Sequence, residues 1–169
     1  MAADVSQKLF IYTYFSWGFA TYLMGEVLDN FGSVIIDEDS PAYIGAKECT
    51  NNTAELSAII EAMIWTLGRT ELKDGVVHIL YDSRYAAENI MGRTHPKTNK
   101  KLVYMGRIIR EKVLNRNDLK WTWVRGHQGN EGNERADRLA DQGRSSTDIH
   151  PDRNIGGRVI FLMGAGAGT

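Results

Sequence analysis

The chain has 169 residues, 43% hydrophobic and 24% charged, with a formal net charge of −1; this is enough for one ordinary globular domain with its own core. The near-neutral balance excludes a global field that would draw the whole molecule to nucleic acid or anionic lipid, so polyanion binding has to come from a local patch. A lone cysteine, Cys49, excludes an internal disulfide and points to a reducing, intracellular compartment. No apolar run reaches the roughly 18 residues of a membrane-spanning helix, and an early Asp4 does not fit a secretory leader.

Residues 8–14 are rich in aromatic and β-branched side chains and read as a strand. Residues 17–30 carry more apolar bulk than a loop needs. A second strand is expected at 31–36, a turn at 37–41 and a third strand at 42–46, together an antiparallel meander. Thr50 to Thr53 supply capping side chains, and Leu56, Ile59, Ile60, Met63 and Trp65 give the following helix a broad apolar face. Residues 76–81 form a nearly continuous apolar run, as in a strand buried on both faces. A short helix over 83–91, a break at 92–96, a helix over 99–114, a strand over 119–124 and a last helix over 134–142 complete the order. A meander followed by alternating strands and helices predicts an α/β domain, a mixed sheet flanked by helices. Residues 1–144 form this domain and the glycine-rich residues 145–169 a flexible C-terminal extension.

The charge is uneven along the chain. Between residues 93 and 120, nine lysines and arginines stand against Glu111 and Asp118, a local basic patch on an otherwise neutral molecule. The carboxylates also recur at structural junctions. Glu55 lies one turn into the first helix, Asp82 at the end of the apolar strand and Asp137 at the start of the last helix. An acid beside apolar neighbours is costly unless it is solvated, paired or metal-bound. Taken singly, Asp82 reads equally as the N-cap of the next helix, and Glu55 as an acid facing the helix dipole. Taken together they suit a hard divalent ion such as Mg²⁺ or Mn²⁺. His127, in a short glycine-rich loop, suits a proton shuttle near neutral pH.

Three motifs carry a resemblance. They are Thr50-Asn51-Asn52-Thr53-Ala54-Glu55-Leu56, then Leu80-Tyr81-Asp82-Ser83-Arg84-Tyr85, then Trp123-Val124-Arg125-Gly126-His127 with its continuation through Asn133 to Asp137. In this order, over about residues 8–144, they resemble a ribonuclease H domain of type 1. The resemblance implies a five-stranded mixed sheet with the first three strands antiparallel. It implies endonucleolytic hydrolysis of the RNA strand of an RNA–DNA hybrid, with two Mg²⁺ ions (Mn²⁺ as substitute), no small-molecule cofactor, no membrane and a monomeric protein. By the same resemblance Glu55, Asp82 and Asp137 are metal ligands and His127 is the mobile shuttle. Asn51, Asn52, Ser83, Arg84, Lys100, Lys101 and Asn133 face the substrate, Asn51 and Asn52 at the 2′-hydroxyls that distinguish RNA. The pattern has an aspartate on the first strand where this chain has Tyr14, within Tyr12-Thr13-Tyr14-Phe15-Ser16. A phenol, with a reference pKa near 10, is a poor substitute for a carboxylate. Glu26 and Asp29 are the nearby acids available to restore the oxygen. Two readings of different class follow: a ribonuclease H weakened at one ligand, and a non-catalytic module of the same fold that binds nucleic acid or serves as a scaffold.

Overall fold

The computed structural model describes residues 6–13, 16–23 and 26–125, and also Glu134, Arg135, Arg138, Leu139, Asp141 and Gln142. The elements are β1 (Ser6–Thr13), β2 (Ser16–Leu23), β3 (Glu26–Ser33), α1 (Asn51–Leu67), a 3₁₀ turn (Thr70–Leu72), β4 (Val76–Tyr81), α2 (Arg84–Met91), α3 (Lys100–Leu114) and β5 (Asp118–Trp123). The described residues between 134 and 142 are helical. The C-terminal extension predicted from 145 onward lies outside the described residues.

The five strands lie in the order β3-β2-β1-β4-β5. β1 and β2 pair antiparallel, as do β2 and β3; β4 joins β1 in parallel and β5 joins β4 in parallel. This is the mixed sheet expected from the order of elements, but the meander is built from other residues. Residues 17–30 are most of β2 and β3, Ser16 pairing with Ser33 and Leu23 with Glu26. The expected strand at 31–36 therefore ends at Ser33, and residues 42–46 form no strand. Ala42, Ile44 and Ala46 are buried nonetheless. Gly45 there has φ +114°, and a Cβ on it would lie 2.9 Å from the Leu102 amide nitrogen. The segment is a loop whose Gly45 is pressed onto the start of α3, and its apolar residues are buried without joining a ladder.

α1 begins as its sequence dictates. Thr50 is the N-cap, its hydroxyl accepting from the Thr53 amide at 3.2 Å while the Thr53 hydroxyl accepts from the Thr50 amide at 2.8 Å. Leu56, Ile59, Ile60 and Met63 are completely buried against the sheet and the other helices, each contributing about 1.5–3 kcal/mol of burial. Phe19 of β2 meets Trp65 edge-on at 6.4 Å. Arg116 closes the other end of α1, donating to the carbonyls of Leu67 at 2.7 Å and Arg69 at 2.8 Å. β4 alternates between half-buried and buried residues, so one face carries Val77, Ile79 and Tyr81 into the core. The two-sided burial read from its composition does not occur, and the half-buried His78 meets the Thr122 hydroxyl across the ladder at 2.7 Å.

Candidate active site

Parallel pairing of β1 with β4 sets Ile11 opposite Tyr81, so the C-terminal ends of both strands emerge at one edge of the sheet. Asp82 follows directly on β4. Ser83, not Asp82, is the N-cap of α2, its hydroxyl accepting from the Ala86 amide at 3.2 Å. The plain reading of Asp82 as a helix cap is thereby replaced, and Asp82 is a half-buried residue just before the cap.

The same Ser83 hydroxyl donates to Glu55 Oε2 at 2.5 Å. This one bond joins the first turns of α1 to the β4–α2 junction and places Glu55 beside the segment that carries Asp82. Burial holds the Glu55 carboxyl above the ordinary carboxylate range, and the Ser83 hydrogen bond pulls it part of the way back down. A half-buried carboxylate in that condition gains from a nearby cation. Asn51 and Asn52, the first two residues of α1, are exposed on the same end of the helix.

The opposite flank is formed by β5. The Trp123 indole N–H donates to the main-chain carbonyl of Asp82 at 3.1 Å. The exposed Arg84 guanidinium lies over the same ring at 4.3 Å. Trp123 falls within the strand expected over 119–124, but nothing local in its motif signals a bond to the carbonyl of Asp82.

His127, Asn133, Asp137 and Tyr14 lie outside the described residues, and among the described residues no three acids, histidines or cysteines are grouped to share an ion. The donors present are hard carboxylate oxygens, Glu55 and Asp82, and they fit Mg²⁺ or Mn²⁺ rather than a soft metal. The two acids considered as replacements for the missing aspartate are elsewhere. Leu23 pairs with Glu26, Tyr22 with Lys8 and Lys8 with His78, which puts Glu26 at the far end of the sheet, roughly 16 Å along the strands from Asp82. Asp29 lies on the edge strand, and both its oxygens are taken by Arg135, Nε to Oδ1 at 2.6 Å and Nη2 to Oδ2 at 2.8 Å.

Lys100 and Lys101 open α3. With Gly45, Lys47, Glu48, Lys97, Thr98 and Asn99 they line a groove of about 580 Å³, in which four lysines stand against one glutamate. Asn99 is the N-cap of α3 in a left-handed conformation (φ 53°), without a side-chain capping bond, so the basic groove includes a helix start that favours anions. Lys101 is 3.8 Å from Glu38 and lies over the Tyr43 ring at 4.7 Å. The rest of the basic run divides by use. Arg107 holds the carbonyls of Asn89 and Thr94, Arg116 those at the end of α1, and Arg110 pairs with Glu111.

The sequence profile of the RNase H family matches residues 25–145. A ribonuclease H of Nitrosomonas eutropha is 33% identical over 141 residues, covering 77% of this chain and 80% of that protein. A ribonuclease H of Cupriavidus necator is 32% identical over 127 residues, 69% of this chain and 84% of that protein. The crystal structure of RNase H1 from the halophilic archaeon Halobacterium salinarum superimposes with a TM-score of 0.55 at 18% identity, covering 83% of this chain and 96% of that one, a likeness of fold. By the profile match and the extent of these relatives, the chain belongs to the ribonuclease H family, a family of hydrolytic nucleases.

Proposed function

We propose that this protein cleaves the RNA strand of RNA–DNA hybrids endonucleolytically, in the intracellular setting where such hybrids form, through a divalent-ion site at the ends of β1 and β4. The observation that carries the reading is the Ser83–Glu55 bond of 2.5 Å, which brings Glu55 of one motif to the serine that directly follows Asp82 of another, at the C-terminal end of β4. Glu55, Asp82 and Asp137 would hold Mg²⁺ or Mn²⁺. When bound there, such ions would supply activation of a water for attack on phosphorus and charge stabilisation for the departing 3′ oxygen. His127 moves the proton near neutral pH. Asn51, Asn52 and Asn133 face the RNA strand, whose 2′-hydroxyls the amides of the α1 start can bond. Ser83 and Arg84 lie at the scissile side, and Lys100 and Lys101 hold the sugar–phosphate backbone in their groove without regard to sequence.

Tyr14 favours a second reading, a hybrid-binding module without turnover, because the first-strand oxygen ligand is gone and neither Glu26 nor Asp29 is placed to replace it. The two separate in one experiment. Cleavage of a labelled hybrid in Mn²⁺ is expected for the natural chain and should vanish in Asp82→Asn. Binding without cleavage in the natural chain, together with robust cleavage by Tyr14→Asp, would establish the module instead.

A further inference from the structure

We infer that Trp123 is a positioning residue of the site: its indole N–H fixes the main chain of Asp82 while its ring face seats Arg84, so that an ion-binding acid and a phosphate-binding guanidinium are held by one side chain. The inference rests on the reading above, in which Asp82 meets the ion and Arg84 the substrate.

The backbone ladder between β4 and β5 closes with the Val124 amide on the Tyr81 carbonyl at 2.8 Å. Tyr81 and Trp123 are register partners, so the indole reaches one residue past the ladder to take the Asp82 carbonyl at 3.1 Å. Its ring face lies 4.3 Å from the Arg84 guanidinium carbon. Arg84 makes no hydrogen bond or ion pair with another described residue. A guanidinium resting on an aromatic face keeps its planar N–H edge for a bidentate anion. Between the two, Ser83 is fixed by Glu55 and by the first turn of α2. Residues 82, 83 and 84 are thus each held by a side chain from β5 or α1. Trp123 remains 40% exposed. A tryptophan retained only to fill the core would be covered, and would not have its polar edge and its face committed to neighbours on either side of the cap.

The N–H and the ring face can be removed separately. Trp123→Phe keeps a face and loses the donor; Trp123→Leu loses both; Arg84→Gln loses only the cation. Calorimetric titration of the free protein with Mn²⁺ should show about tenfold weaker binding in Trp123→Phe and Trp123→Leu, the loss typical of a partner that orients a metal ligand, and no change in Arg84→Gln. Hybrid binding measured against salt should keep its slope in Trp123→Phe. In Trp123→Leu and Arg84→Gln the slope should flatten by about one unit, one phosphate contact. Should Trp123→Leu fail to fold, Trp123→Phe and Arg84→Gln decide between them, the first by Mn²⁺ affinity alone and the second by salt slope alone. A natural chain that binds Mn²⁺ and hybrid, with a Trp123→Phe variant equal to it in Mn²⁺ affinity, overturns this inference and leaves the function intact. A natural chain that binds neither overturns the function, and this inference with it.

Discussion

Glu55 shows how one hydroxyl can set the working range of an acid. Burial raises its pKa and the Ser83 hydrogen bond lowers it, so deleting the hydroxyl leaves burial unopposed. In Ser83→Ala the acid-side midpoint of Mn²⁺ binding should move to higher pH, while Ser83→Thr, which keeps the oxygen, should hold it. A midpoint unmoved in Ser83→Ala would mean that the bond does not act on Glu55. The alanine also removes the α2 cap, at about 1 kcal/mol, so the pH midpoint rather than overall activity is the measurement. The same shift has a stability consequence of definite sign. A carboxyl whose folded pKa lies above its unfolded value binds its proton more tightly in the fold. Its contribution therefore favours the fold at low pH and fades as pH rises through the folded pKa. At this scale the sequence was informative about identity: Glu55 and Asp82 were legible as candidate ligands from their motifs. It was silent on the choice of cap, since Asp82 and Ser83 are both good N-cap residues and only the turn geometry selects between them.

Among the elements, the edge strand β3 is tied to the helical Arg135 by the two-pronged Asp29–Arg135 pair. Both side chains are about a third exposed, 33% and 35%, so the pair belongs to the modest class of partly solvated bridges. Asp29→Ala is expected to cost about 0.5–1 kcal/mol, a fall of about 1–4 °C in Tm for a chain of this size, with unchanged Mn²⁺ affinity. A loss of Mn²⁺ binding at unchanged Tm would instead make Asp29 a ligand and restore it as the substitute for the missing aspartate. The helices α1 and α3 and the strand β4 were legible because capping residues and periodic apolar positions act within a few neighbours. The β2–β3 hairpin was not. Its strands contain Gly18, Gly32, Asp29 and Asn30, residues disfavoured in strands, and pairing with β1 overrides that preference. Residues 42–46 erred in the opposite direction, since an apolar run can be buried by a helix as well as by a ladder.

Across the whole molecule, a run of nine basic residues separates into two populations that composition alone cannot tell apart. Arg107 and Arg116 are spent on carbonyls at helix ends, whereas Lys97, Lys100 and Lys101 line an open groove. Reversing charge at Lys100 and Lys101 should weaken hybrid binding and flatten its salt dependence. Arg116→Gln should lower stability and leave that slope in place, because it unties the end of α1 from the α3–β5 turn without touching the groove. Equal slopes in all three proteins would remove the groove from the binding surface.

The sequence by itself determined the family, the order of strands and helices after residue 50, and which acids belong to the motifs, because these are written in local spacing and in side-chain chemistry. Only the tertiary structure decided which segments pair to β1, that Ser83 and not Asp82 caps α2 while bonding Glu55, which arginines are structural, that Asp29 is tied to a helix, and that Trp123 reaches the carbonyl of Asp82. The contacts concerned join residues 28, 41 and 106 positions apart. Such contacts arise only once the sheet has closed and brought distant segments to a common edge, and no short-range preference in the chain specifies them in advance.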